Sequence, residues 1–215
     1  MIVEIWSDVV CPWCYIGKRR FERALERFSA ANPEVEVEVR YRAFMLDPTA
    51  PVGVSQPVRE VYERKFGGPH GADEVLDRVT SEAAGEGLEF RMEIARRSNT
   101  LLAHRLLVLA ERLGCQAELK ERLLAAYFTE GREVGDQETL IELAAEVGIE
   151  PAEARDWLDD GRGKDEVGDH LEFAAANGLM HVPTFVFDRE AAIPGAQEAD
   201  VFLEMLERRL AAANA

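Results

Sequence analysis

Two cysteines at i and i+3, Cys11 and Cys14, are the side chains whose type and spacing best fit covalent chemistry. A dithiol at this separation can close to a disulfide and reopen by thiol–disulfide exchange. The attacking species is the thiolate, and a thiolate is favoured where a helix begins. The first helical turn carries backbone N–H groups with no partner inside the helix, and the helix dipole adds partial positive charge there. The i, i+3 spacing puts both sulfurs on one side of that turn. Cys11 at the helix mouth would attack, and Cys14, one turn in, would resolve the mixed disulfide. From the residues alone two other readings stay open: half of a zinc site, or an inert buried pair. A zinc site wants four ligands. Cys115 is isolated, and His70, His104, His170 and His181 are scattered without a second C-x-x-C or an H-x(3–5)-H spacing, so no metal is expected.

The elements around the pair suit the redox reading. Ile2-Val3-Glu4-Ile5-Trp6 predicts a buried strand, and Tyr15 to about Phe28 a helix. Pro12 suits a first helical turn, where a missing N–H costs nothing. Phe21, Ala24, Leu25 and Phe28 form its apolar stripe, and Asn32-Pro33 ends it. Val35 to Tyr41 alternates apolar and charged residues, which predicts a second strand. Such a strand–helix–strand unit crosses over right-handed. The helix mouth then lies at the carboxyl edge of the first strand, where sites gather in open α/β sheets.

After Leu46 the pattern changes. Helical periodicity covers Val58–Phe66, Ala72–Gly85, Asn99–Leu113, Ala117–Thr129, Gln137–Val147 and Ala152–Leu158, separated by glycines and prolines. Asp136 is an N-cap candidate, and Asn99-Thr100 another. Only Leu88-Glu89-Phe90 suggests a short extended piece. Residues 46–164 therefore predict an all-helical block inserted between 1–45 and 165–215. The α/β pattern resumes with a helix over Glu166–Asn177 closed by Gly178, a proline-led strand from Pro183 to Phe187, a turn at Asp188-Arg189-Glu190, a short returning strand and a final helix over Asp200–Ala213.

Composition narrows the partners. The chain has 215 residues, with 25 basic and 41 acidic side chains and a formal charge of -16. That balance argues against nucleic acid, whose affinity rests on Lys and Arg at phosphates. It argues equally against an anionic membrane surface. No apolar stretch is long enough to span a bilayer. No signal-peptide pattern is visible. With Met1 as the true start the expected compartment is the cytoplasm, where a C-x-x-C is kept reduced and is catalytic or redox-sensing. Oligomeric state is not readable.

The order of elements resembles a thioredoxin fold carrying a helical insertion, the arrangement of the DsbA-like family. The chain is similar to the FrnE-type subgroup of that family in four runs: Ser7-Asp8-Val9-Val10-Cys11-Pro12-Trp13-Cys14-Tyr15-Ile16-Gly17; Asn99-Thr100 with Ala103-His104-Arg105; Ala126 to Gly131; and Gly195-Ala196-Gln197. The resemblance implies an α/β fold of thioredoxin type with a large all-helical domain between its halves. It implies that Cys11 attacks, Cys14 resolves and Pro183 is a cis proline facing the disulfide. Val182 would pair with an extended substrate peptide and Pro12 would contact substrate, while Trp13 either offers an apolar face to substrate or simply packs. Many DsbA-type oxidants carry histidine between the cysteines; this chain has Pro-Trp, which hints at a less oxidising couple. His104, beside Leu101 and Leu107, reads as a satisfied, partly buried histidine, with a tuning role at the thiolate as its functional reading. Cys115 reads as structural.

Three functions follow. The first is a thiol–disulfide oxidoreductase acting on a disulfide-containing protein or small thiol. It binds no cofactor and exchanges electrons with glutathione, another small thiol or a dithiol protein. The second is a glutathione-dependent isomerase or transferase, because the fold resembles 2-hydroxychromene-2-carboxylate isomerase and kappa-class glutathione transferase; those typically have serine where Cys11 stands. The third is a chaperone-like binding module using the helical block and Trp13.

Overall fold

The computed structural model describes residues 1–214. The elements run β1 (Ile2–Ser7), α1 (Pro12–Ala31), β2 (Glu38–Ala43), β3 (Gln56–Pro57), α2 (Val58–Lys65), α3 (Pro69–Gly85), β4 (Arg96–Arg97), α4 (Leu101–Leu113), α5 (Gln116–Phe128), α6 (Gln137–Glu146), α7 (Pro151–Asp159), α8 (Lys164–Ala176), β5 (Thr184–Phe187), β6 (Ala191–Pro194) and α9 (Ala199–Ala213). The main sheet has the order β2-β1-β5-β6. β1 pairs parallel with β2 and antiparallel with β5, and β5 pairs antiparallel with β6. The β5–β6 turn places Asp188 at φ 51° and Arg189 at φ 59°, a left-handed pair that suits a tight hairpin. The fold is thus a thioredoxin-like α/β sheet with a helical insertion.

Alternation along the strands sorts the two faces. Val3 and Ile5 of β1, with Phe185 and Phe187 of β5, face α1 and α9, where Phe21, Phe28, Phe202 and Leu206 complete a core. Trp6 and Val186 face the other way, onto Ala174 and Phe173 of α8. The larger core lies in the insertion, yet Val9, Tyr15, Ile16 and Ala43 belong to it. The end of the α/β half that carries Cys11 and Cys14 is therefore packed into the helical block.

Three expectations need correction. The second strand starts at Glu38, not Val35. Its first rung is Glu38 N–H donating to the carbonyl of Met1 at 2.9 Å, so Val35 to Val37 lie beyond the start of β1 and have no strand to pair with. The insertion is also not purely helical. Gln56–Pro57 pairs antiparallel with Arg96–Arg97. The extended hint at Leu88-Glu89-Phe90 forms no strand; Leu88 and Phe90 are buried in the helical core instead. Asp136 caps α6, accepting from Thr139 N–H at 2.8 Å. At α4 the N-cap position is Thr100, while the carboxamide of Asn99 accepts from Leu101 N–H at 2.9 Å and donates to the Ala50 carbonyl at 2.7 Å.

Helix α5 docks on the α/β half beside α3 and α4. β2 is an edge strand, and an open edge exposes unpaired N–H and C=O groups. Here the Gln116 carboxamide accepts from Tyr41 N–H at 2.8 Å and donates to the Tyr41 carbonyl at 3.0 Å, as a neighbouring strand would. His170 of α8 accepts from Ala43 N–H through Nδ1 at 3.3 Å, so two side chains satisfy the edge groups of Tyr41 and Ala43. One helical turn further, Glu121 accepts from Tyr15 Oη at 2.6 Å and from Lys18 Nζ at 2.6 Å, and it also binds Arg19. Burial alone would raise the Glu121 pKa; bonds from Arg19, Lys18 and Tyr15 outweigh it and hold the carboxyl down at about 2.

Two outcomes follow from this seam. Gln116→Ala strands both polar groups of Tyr41 in a buried place and should cost roughly 2–4 kcal/mol, read as a lower midpoint in urea or thermal unfolding. Glu121 has a folded pKa below its ordinary value, so its contribution is complete above the carboxylate range and lost as pH falls through it toward 2. Acid titration of Glu121→Gln against the parent chain should show the parent losing its stability advantage in that window.

Candidate active site

Cys11 is the N-cap residue of α1, in extended backbone at φ -91°, and Pro12 opens the helix. Cys14 N–H donates to the Cys11 carbonyl at 3.0 Å, the first turn of the helix. Both thiols are free and close together, and both residues are buried, at 4 % and 3 % exposure. Burial pushes the Cys14 thiol well above the ordinary cysteine range, and a hydrogen bond with Cys11 adds to the shift. Cys14 is therefore a protonated thiol until something removes its proton.

The proline-led loop faces the pair. The Val182–Pro183 bond is cis. The Cys11 thiol donates to the Val182 carbonyl at 3.7 Å. Thr184 Oγ1 donates to the His181 carbonyl at 2.7 Å, and Gly195 N–H donates to the Pro183 carbonyl at 2.7 Å, which fixes the loop from both sides. Helix α1 can lie this close because residue 17 is glycine. A Cβ there would sit 3.0 Å from Pro183 Cγ and 3.2 Å from Ala196 Cβ. Trp13 is half-buried on the rim, with the Arg78 guanidinium 6.0 Å from its ring centre. Met180 stands 72 % exposed just before the proline loop. Pro12 is buried, and Val182 is half-buried.

Behind the dithiol lies a charged layer. Asp8 is 1 % exposed, and its carboxylate meets three partners from three segments. Oδ1 takes the Val9 N–H at 2.8 Å and stands 3.1 Å from His104 Nε2; Oδ2 takes the Leu46 N–H at 2.8 Å. Burial alone would raise its pKa; His104 and the Leu46 N–H more than offset this, and Asp8 lies below the ordinary carboxylate value. His104 thus reaches the carboxylate behind the cysteines, and its ring is buried on α4. Lys120 of α5 is also in this layer, 1 % exposed, with Nζ 5.7 Å from the Tyr41 ring centre.

Sequence reasoning singled out His104 but not Lys120. In Ala117-Glu118-Leu119-Lys120-Glu121-Arg122 a lysine looks like one of several solvated charges. The usable signal was position: Lys120 follows Leu119 and precedes Leu123, Leu124 and Tyr127 on the buried side of the helix. Cys115 sits at the α4–α5 junction, half-buried, with its thiol pushed up by burial. Among the described residues no three His, Cys, Asp or Glu side chains gather as metal ligands, and no helix is long and apolar enough to cross a membrane.

Comparison with known proteins agrees with this geometry. A probable DsbA oxidoreductase from Streptomyces coelicolor, known as a crystal structure, is 39 % identical, with a TM-score of 0.89 over 97 % of this chain and 89 % of that one. The uncharacterized protein YwbO of Bacillus subtilis is 28 % identical over 93 % of this chain and 92 % of its own. The cytosolic disulfide reductase DsbM from Pseudomonas aeruginosa, solved with GSH, is 22 % identical with a TM-score of 0.67 over 98 % and 99 %, a likeness of fold. The DSBA-like thioredoxin domain profile matches residues 2–207. With a free dithiol on the first turn of α1, a cis proline across from it and that match along nearly its whole length, the chain belongs to the DSBA-like thioredoxin domain family.

Proposed function

We propose that this protein is a thiol–disulfide oxidoreductase in which Cys11 attacks and Cys14 resolves. The observation that carries the reading is the pair itself: two free thiols on one helical turn, the outer facing the Val182-Pro183 loop and the inner buried and protonated. The Cys11 thiolate attacks one sulfur of a substrate disulfide. A Cys11–substrate bond forms, and the other substrate sulfur leaves as a thiolate that takes up a proton. Cys14 then gives up its proton and attacks Cys11 Sγ. The second substrate thiol leaves, and the Cys11–Cys14 disulfide remains. Two electrons have passed from the dithiol to the substrate. The reverse sequence oxidises a substrate dithiol.

Pro183 closes one wall of the site, and Val182 supplies backbone to an extended substrate. Pro12 and Trp13 offer apolar contact at the helix mouth. The substrate is a disulfide-bearing protein or a small thiol. Glutathione, the molecule solved with the DsbM fold relative, is the first electron partner to test. The motif runs around Cys11, His104, Tyr127 and Gly195 support placing the chain in the FrnE-type subgroup. A reducing compartment such as the cytoplasm suits a pair held as thiols.

The test uses oxidised glutathione and mass spectrometry on three proteins. The parent chain should be oxidised to the internal disulfide. Cys14→Ser should accumulate one glutathionyl group at Cys11, because no resolving thiol is present. Cys11→Ser should lose at least a thousandfold in insulin disulfide reduction; retention of that activity sinks the proposal. If Cys11→Ser instead keeps a glutathione-dependent isomerisation, the isomerase reading replaces this one. Gly17→Ala adds a methyl against Pro183 and should slow mixed-disulfide formation several-fold while far-UV circular dichroism stays that of the parent; an unchanged rate would show that the close approach of α1 to the loop is immaterial.

A further inference from the structure

A buried ammonium normally finds a carboxylate or carbonyl, since leaving it unpaired costs several kcal/mol. Among the described residues Lys18, Arg20, Arg42 and Arg105 are buried and each has hydrogen-bond partners. Lys120 is different: it is 1 % exposed and its Nζ has no hydrogen-bond partner. Its surroundings are defined. The Tyr41 ring lies on one side at 5.7 Å. The next residue, Glu121, is bound to Tyr15, Lys18 and Arg19 in the first turns of α1, which holds α5 against the helix bearing the cysteines.

We infer that Lys120 is the cation for the dithiol form, an ammonium supplied by the insertion that stabilises the reduced, thiolate-bearing pair and so sets its redox poise. The inference rests on the oxidoreductase reading. It names a positioning charge rather than a catalytic residue, since Nζ touches neither substrate nor the reacting sulfurs by hydrogen bond. Four other groups act on it. Burial pushes Lys120 below the ordinary lysine range; Cys14, Asp8 and Cys11 pull it back up, while Lys18 pushes with burial. Asp8 is already engaged by His104 and two backbone N–H groups, and Lys18 by Glu22 and Glu121 at 2.5 and 2.6 Å. Neither changes when the disulfide forms. The sulfurs do change: the disulfide carries no charge, so the share of the attraction that comes from Cys14 and Cys11 exists only in the reduced protein, while that of Asp8 persists. The dithiol is favoured by that difference, and the pair becomes more oxidising. This fits the Pro12-Trp13 dipeptide, which has no histidine to do the same work from within the motif.

The experiment equilibrates parent, Lys120→Met and Lys120→Arg proteins with graded glutathione buffers and reads the Cys11–Cys14 state by alkylation and mass spectrometry. Lys120→Met should shift the equilibrium constant at least tenfold toward the disulfide, about 30 mV for a two-electron couple. Lys120→Arg should stay closer to the parent. Removing an unpaired buried charge should also raise the unfolding midpoint of the oxidised Lys120→Met protein, the opposite of what a lysine that merely packs would give. An equilibrium constant within twofold of the parent overturns the inference. Should Lys120→Met fail to fold, side-chain nitrogen NMR on the unsubstituted protein decides: the Lys120 Nζ titration midpoint must be higher in the dithiol than in the disulfide form, and equal midpoints overturn it. A parent chain that never exchanges with any disulfide would instead remove the oxidoreductase reading, a result separate from either Lys120 readout.

Discussion

The structure depends on one carboxylate. Asp8 lies between the end of β1 and the first turn of α1, and its oxygens hold Val9 of its own loop, Leu46 at the start of the insertion and His104 of α4. A buried carboxylate with no partners would be costly, so its position dictates that these three groups converge. Their convergence brings the loop before Cys11, the exit from β2 and the helical block into one place. Asp8 also stands three residues before Cys11, so the residue that fastens the insertion fixes the loop leading into the dithiol.

The insertion is therefore more than a covering on a self-sufficient thioredoxin unit. Tyr15 and Ile16 of α1 and Ala43 of β2 pack into its core. Gln116 completes the hydrogen bonding of the β2 edge, and Glu121 ties α5 to α1. Removing the block would expose apolar surface and unpaired strand groups at once. The consequence for chemistry is that the environment of the two sulfurs is built from both halves. The helix end and the proline loop come from the α/β half; the charged layer behind them is completed by His104 and Lys120 from the insertion.

Much of this was readable from the residues. The C-x-x-C, the apolar stripes of α1 and α9, the glycines between helices and Asp136 before Thr139 are local signals, and local signals survive into the fold. Strand alternation at Val35 to Tyr41 marked β2 but not its start, because pairing begins where Met1 and β1 begin, a fact of register rather than of pattern. The ladder between Gln56–Pro57 and Arg96–Arg97 was invisible for the same reason: two rungs between segments far apart in sequence leave no periodicity. Lys120 was hidden by its neighbours. Glu118, Glu121 and Arg122 surround it in sequence, and nothing in a run of charges tells which one turns inward. Gly17 needed the loop from the other end of the chain before its missing Cβ had meaning.

Placing charge beneath the dithiol rather than between the cysteines has a physical consequence. A histidine in the dipeptide would stand at the mouth, wet, screened by salt and in the path of substrate. Lys120 is 1 % exposed, so its field at the sulfurs passes through protein and is screened far less than that of a surface charge. The outside of the molecule is governed by the opposite sign, with a formal charge of -16. Encounter with an anionic disulfide such as oxidised glutathione is opposed by that surface and eased by salt. Equilibrium at the sulfurs and the rate of arrival are thus set by two charge distributions, one buried and one exposed. Around the dithiol Trp13 is half-buried and Met180 exposed, so apolar surface remains open there.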